Sequence, residues 1–230
     1  MKLVLFDIDG TILWSDGAGR RAMSAALTQV FGGAGPTEYR YDGKTDPQIV
    51  RDLMRLAGHA DAAIDAGMDA LTAHYLRGLE RELADDAHHA HLFEGIAELL
   101  EALEARSDVV VGLLTGNMRE GAAIKLRAVG LDAARFRVTA FGSDHSHRPE
   151  LPAVAQRRAR ELLGMEITPS DMIVIGDTPA DIECARAAGA RSIAVATGRY
   201  TPEELAGHHP TAVFATLADT EAVMRVILDA

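Results

Sequence analysis

Five short apolar runs from residue 109 onward are each followed by a helical pattern, and that alternation restricts the fold more than any other feature. The runs lie at 109–114, 137–141, 172–175, 192–196 and 212–214, and the helical patterns at 118–129, 152–163, 179–188, 202–205 and 220–228. Gly130, Gly164 and Gly189 stand where helices of this kind stop. Repeated strand–helix units imply a parallel sheet covered by helices on both faces. A sixth run, Leu3-Val4-Leu5-Phe6, is also short, apolar and bounded by a turn, so it belongs with the others. An amphipathic helix is expected at 94–106, with Ile96, Leu99, Leu100 and Leu103 inward. By contrast, 15–85 reads as nearly all helix, in segments at 15–31, 46–57 and 60–83, with Asp46 as N-cap and Pro47 at N1 of the second. The expected architecture is α/β: a doubly wound, mostly parallel sheet built from 1–14 and 86–230, with a small all-helical block, 15–85, inserted after the first strand.

Ligands of an open parallel sheet bind beyond the carboxyl ends of its strands. The first strand ends in Asp7-Ile8-Asp9-Gly10-Thr11. Side chains two apart in an extended segment share a face, so Asp7 and Asp9 emerge together. Their mutual repulsion either raises one pKa or calls for a cation between them. The run at 109–114 leads into Thr115-Gly116-Asn117, and that at 172–175 into Gly176-Asp177-Thr178-Pro179-Ala180-Asp181. The run at 137–141 leads through Gly142-Ser143-Asp144 to His145, His147 and Arg148. All four strands deliver polar groups to one region.

These residues resemble the haloacid dehalogenase-like hydrolase superfamily, most of whose members are phosphatases. The matching pieces are Asp7-x-Asp9-Gly10-Thr11, Thr115 after an apolar strand, and Gly176-Asp177-x-x-x-Asp181, in the family's order and over the whole chain. The resemblance implies a Rossmann-like core and makes 15–85 the family's mobile cap. It also implies Mg2+-dependent hydrolysis of a small phosphorylated metabolite, as in phosphoglycolate phosphatases. Asp7 would be the nucleophile, forming an aspartyl-phosphate, and Asp9 the general acid and then base. The Asp7 and Asp177 carboxylates and the Asp9 carbonyl would hold Mg2+, a hard cation that favours oxygen. Thr115, Gly116 and Asn117, at a helix start, would hold phosphate. The family's usual lysine is missing, and Arg148 stands at the best-matching position, in His147-Arg148-Pro149-Glu150. Arginine neutralises phosphate with a different reach and geometry. A phosphomutase would retain all these residues, whereas dehalogenases and phosphonatases of the family usually lack an acid at the position of Asp9. Outside enzymes, a non-catalytic phosphate-binding protein would also keep the fold, but no catalytic acid is missing here.

Several of these residues also have purely structural readings. Thr178, Pro179 and Asp181 form a capping-box pattern, so Asp181 either caps a helix, supports the site, or does both. Asn117 with Glu120 likewise resembles a helix start. His88, His89 and His91 lack acid or cysteine at ligand spacing and read as an exposed loop. His145 and His147 read as ordinary loop positions, and Cys184 as core packing. Lys44, between Gly43 and Thr45, is the helical block's candidate for touching substrate. The balance of 34 acidic to 23 basic residues, a net charge of -11, argues against nucleic-acid and anionic-membrane partners. One cysteine, and only four apolar residues between Lys2 and Asp7, point to a cytoplasmic protein.

Overall fold

The computed structural model describes residues 1–85 and 89–229. Strand β1 (Lys2–Phe6) is followed by the short β2 (Leu13–Trp14). Helices α1 (Ala18–Phe31), α2 (Asp46–Leu56) and α3 (Asp61–Ala84) come next, and then β3 (His91–Leu92). The rest alternates: α4 (Ile96–Glu104), β4 (Val109–Thr115), α5 (Arg119–Ala128), β5 (Val138–Phe141), α6 (Leu151–Leu163), β6 (Met172–Gly176) and α7 (Pro179–Ala187). It ends with β7 (Arg191–Val195), α8 (Pro202–Ala206), β8 (Ala212–Phe214) and α9 (Thr220–Leu228).

Six strands form one sheet in the order β5-β4-β1-β6-β7-β8, every neighbouring pair parallel. This is the doubly wound sheet expected from the alternation. Strands β1, β4 and β6 are buried almost throughout, which is why they read as continuous apolar runs. The pleat divides their side chains between two cores. Val4 and Phe6 pack with α4, α5 and α9, whereas Leu3 and Leu5 pack with α6 and α7.

A third apolar cluster joins α1, α2 and α3 and includes Met118 and Ile124, beside and within α5. The chain enters and leaves this helical layer side by side, because β2 and β3 pair antiparallel, Leu13 opposite Leu92 and Trp14 opposite His91. His91 therefore belongs to a ribbon and not to the expected histidine loop, and His88 lies outside the described residues. Among the described residues no helix is long and apolar enough to cross a membrane.

The start of α2 also departs from expectation. Thr45, not Asp46, is the N-cap, its hydroxyl accepting from the Gln48 N–H at 3.3 Å. That shift frees Asp46 for another task. Its backbone N–H donates to the Gly116 carbonyl at 2.8 Å, and its carboxylate accepts from the Met118 N–H at 2.8 Å. Thr45 adds a hydrogen bond from its hydroxyl to the Ser146 carbonyl, 2.6 Å. The helical layer is thus pinned to the loops that follow β4 and β5.

Pinning by a buried acid has a cost. Burial lifts the Asp46 pKa to about 6, although Lys125 and the Met118 N–H pull it down. Folded Asp46 therefore binds its proton more tightly than the unfolded chain does, and stability falls as pH rises from about 4 to 6. Asp46→Asn keeps the acceptor without the charge. At neutral pH it is expected to exceed the wild type in unfolding free energy by about 1–3 kcal/mol. Urea melts of the two proteins should converge below about pH 4. A variant less stable than wild type at neutral pH would mean that the charge itself holds the layers together.

Candidate active site

The carboxyl end of β1 turns sharply enough to bring both of its acids to one cavity. The Asp7 N–H continues the ladder to Ile175 of β6 at 2.9 Å, and the Ile8 carbonyl accepts from Thr11, Ile12 and Leu13. Gly10 closes the turn at φ +80°, a left-handed conformation that glycine tolerates best. A side chain there would also collide with Asp177, since a Cβ would lie 2.3 Å from its Oδ2. Glycine therefore both makes the turn and lets the acid of the adjacent strand approach.

Asp7, Asp177 and Asp181 are all buried, and one oxygen of each lies within 4.8 Å of the others. Arg148 is the buried cation among them. Its Nη2 lies 3.0 Å from Asp7 Oδ2 and also bonds Asp181 Oδ1. The other Asp181 oxygen accepts from the Thr178 hydroxyl, 2.7 Å, and N–H, 3.1 Å. The capping box is present, and Asp181 is fully engaged in it and in holding Arg148. Asp177 accepts from the Thr11 hydroxyl at 3.2 Å.

Three carboxylates around one guanidinium leave negative charge uncompensated. Burial raises the Asp7 pKa to about 6; Arg148 and the Thr115 hydroxyl pull it down, and the Asp181 charge pushes it up. Asp177 is held well above the usual carboxylate range by burial, then by Asp181 and Asp7. Hard oxygen donors with surplus negative charge suit a divalent cation. Asp181 is spent on Thr178 and Arg148, which leaves Asp7 and Asp177 as the less committed pair.

Asp9 is held differently. Its Oδ2 accepts from Lys125 Nζ at 2.5 Å and from Asn117 Nδ2 at 2.8 Å, and its Oδ1 from the Ser15 hydroxyl at 3.2 Å. Desolvation works against its charge, but the Lys125 ammonium and these hydrogen bonds outweigh it and leave the pKa below the usual value. The two acids of β1 therefore differ in kind: Asp7 gives up its proton reluctantly, and Asp9 readily. Lys125 is the residue that reading the sequence missed. It lies three and four positions from Ala122 and Gly121, on the buried stripe of α5, where a charge breaks the apolar pattern.

A cavity of about 550 Å3 opens above these groups, lined by Asp7, Asp9, Asn117, Arg148 and Asp177 from the sheet side. Lys44, Arg20 and Tyr41 line it from the helical layer. Lys44 Nζ donates to the Arg40 carbonyl at 3.1 Å and sits 4.1 Å from the centre of the Tyr39 ring. Thr115, fully buried, ends β4, and Gly116 begins the turn that leads to α5. Both Asn117 side-chain hydrogens are in use, toward Asp9 and the Thr115 hydroxyl, and its backbone N–H also donates to that hydroxyl, at 3.3 Å. His145 and His147 do not line the cavity and remain exposed. Cys184 is buried, its thiol pushed up to about 12 by burial.

The family model for haloacid dehalogenase-like hydrolases matches residues 4–186. A phosphoglycolate phosphatase from Synechococcus elongatus is 28% identical over 224 residues, covering 95% of each chain. An N-acetylmuramic acid 6-phosphate phosphatase from Pseudomonas aeruginosa is 32% identical over 213 residues, covering 90% of this chain and 87% of its own. A hydrolase from Pseudomonas syringae shares the fold, with a TM-score of 0.74 at 23% identity over 99% of both chains.

Proposed function

The chain belongs to the haloacid dehalogenase-like hydrolases and is a phosphatase, and we propose that it hydrolyses a small phosphorylated metabolite through an aspartyl-phosphate on Asp7. The observation that carries this reading is the Asp7–Arg148–Asp177 arrangement, an acid beside a cation and a second acid at the ends of adjoining strands. An Asp7 oxygen attacks phosphorus as the ester P–O bond breaks, and the departing oxygen takes a proton from Asp9. Asp9 is held as the carboxylate in the free site, so it takes up the proton it delivers only with the substrate bound, whose negative charge raises its proton affinity. Water then attacks phosphorus, gives a proton to Asp9 and releases inorganic phosphate, restoring Asp7. Thr115, the Gly116 and Asn117 N–H groups, and Arg148 hold the phosphoryl oxygens.

The Asp7 and Asp177 carboxylates and the Asp9 carbonyl would hold Mg2+. When bound, the ion supplies positive charge that offsets the repulsion between Asp7 and the phosphate. We treat 15–85 as a cap over a core of 1–14 and 86–230, with Lys44 as its substrate-facing residue. A cavity of about 550 Å3 accommodates a sugar phosphate as well as a two-carbon acid, so phosphoglycolate is one candidate among several. A lone buried thiol suits the reducing cytoplasm, where we place the protein.

A panel of metabolite phosphates, phosphoglycolate and sugar phosphates included, is expected to show hydrolysis with Mg2+. EDTA should reduce it to background, and excess Mg2+ should restore it. The ranking by kcat/KM identifies the leaving group. Turnover that EDTA leaves intact would overturn the metal assignment.

A further inference from the structure

We infer that Lys125 is a positioning residue: with Asn117 it forms a buried clamp that fixes the Asp9 carboxylate for proton transfer to the leaving group. The inference rests on the acid role proposed for Asp9.

Lys125 is 4% exposed, and lysine is seldom buried to that degree without a partner. Its ammonium donates to Asp9 Oδ2 and to Asn117 Oδ1, each at 2.5 Å. Asn117 donates back to the same Asp9 oxygen at 2.8 Å and to the Thr115 hydroxyl at 2.9 Å. The three side chains thus close a ring of hydrogen bonds, and Thr115 ties it to the end of β4. One Asp9 oxygen, Oδ2, receives both clamp bonds, while Oδ1 meets only the small Ser15 hydroxyl at 3.2 Å. The clamp holds one oxygen and leaves the other with the Ser15 hydroxyl alone. Helix α1 makes room for it: a Cβ on Gly19 would stand 3.2 Å from Lys125 Nζ and 3.5 Å from Cε.

Lys125 borders the cavity, but its ammonium is directed at Asp9 and Asn117. Its effect reaches the reaction through the placement of Asp9, so it matters most for esters whose leaving oxygen needs a proton. Leaving groups that depart unaided should be nearly indifferent to it. The quantity to read is kcat/KM, because it covers the steps up to cleavage of the ester and not the later release of phosphate from Asp7.

The test measures kcat/KM with Mg2+ for aryl phosphates running from 4-nitrophenyl to phenyl phosphate. Wild type, Lys125→Met, Lys125→Arg, Asp9→Asn and Arg127→Met are compared. Arg127 is on the same helix with an exposed guanidinium and serves as the control. Lys125→Met is expected to lose ~10–100-fold on phenyl phosphate and less than ~3-fold on 4-nitrophenyl phosphate, reproducing the leaving-group bias of Asp9→Asn. Lys125→Arg, which keeps a donor and a charge, should recover part of the loss on phenyl phosphate alone. Equal losses on both esters, or none, in a Lys125→Met protein that melts as a folded chain would overturn the clamp while Asp9→Asn still shows the bias. Absence of the bias in Asp9→Asn would remove the acid role and the inference with it. Should methionine prevent folding, Lys125→Gln is read in its place by the same criterion.

Discussion

Asp7→Asn is expected to lower kcat by at least ~10^4-fold, a loss of about 5 kcal/mol or more in transition-state stabilisation, while the fold survives. An amide is nearly isosteric with the carboxylate but is no nucleophile toward phosphorus, so formation of the covalent intermediate stops. Stability should move the other way. Asp7 is one of three buried carboxylates around a single guanidinium, and burial lifts its pKa to about 6. Ionising it at neutral pH therefore works against folding, and the penalty develops as pH rises from about 4 to 6. In EDTA the variant should melt no lower than wild type. Mg2+ should raise the wild-type Tm more than that of the variant, because the variant has lost one carboxylate ligand. Acid-quenched protein should carry phosphate in the wild type and none in Asp7→Asn. Undiminished turnover in the variant would mean that water attacks the ester directly.

The two acids of β1 occupy opposite electrostatic settings although one residue separates them. Asp7 looks toward Asp177 and Asp181, and its charge is disfavoured. Asp9 looks toward Lys125, and its charge is favoured. A strand that places both on one face cannot by itself make this distinction. The neighbours do, and they come from strands and helices far along the chain: Asp181 lies 33 residues from Arg148, and Lys125 lies 116 residues from Asp9.

That separation decides what could be read without coordinates. The sheet was legible because its inner strands are buried on both faces and so appear as unbroken apolar runs. The Thr178–Asp181 box was legible because both partners are local. Lys125 was visible only as an anomaly on an apolar helix stripe; nothing in the sequence names Asp9 as its partner. The β2–β3 ribbon escaped because two residues per strand leave no period to detect. At α2, Thr45 and Asp46 are both good caps, and the choice was made by a contact to Met118 that no local pattern encodes.

Arg148 carries the second large effect. It stands where the family usually has lysine, and its single Nη2 serves Asp7 at 3.0 Å and also Asp181. Arg148 is 4% exposed, and its Nε has no hydrogen-bond partner among the described residues. Arginine is tolerated there because one nitrogen of its planar fork can bridge two carboxylates, while the other N–H groups point elsewhere. Arg148→Ala leaves Asp7, Asp177 and Asp181 buried without that cation, and is expected to cost about 3–5 kcal/mol of stability at neutral pH. The loss should shrink as pH falls toward 4, because protonated Asp7 and Asp177 no longer need the cation. Mg2+ should recover part of it by supplying positive charge to Asp7 and Asp177. Arg148→Lys restores the charge on a side chain of different reach and geometry, so it should lose about 1–2 kcal/mol and keep measurable turnover. Urea melts at two pH values, with and without Mg2+, read the stability, and kcat/KM on 4-nitrophenyl phosphate reads the site. Wild-type stability in Arg148→Ala would show that the guanidinium does not hold the buried charges of Asp7 and Asp181 in place.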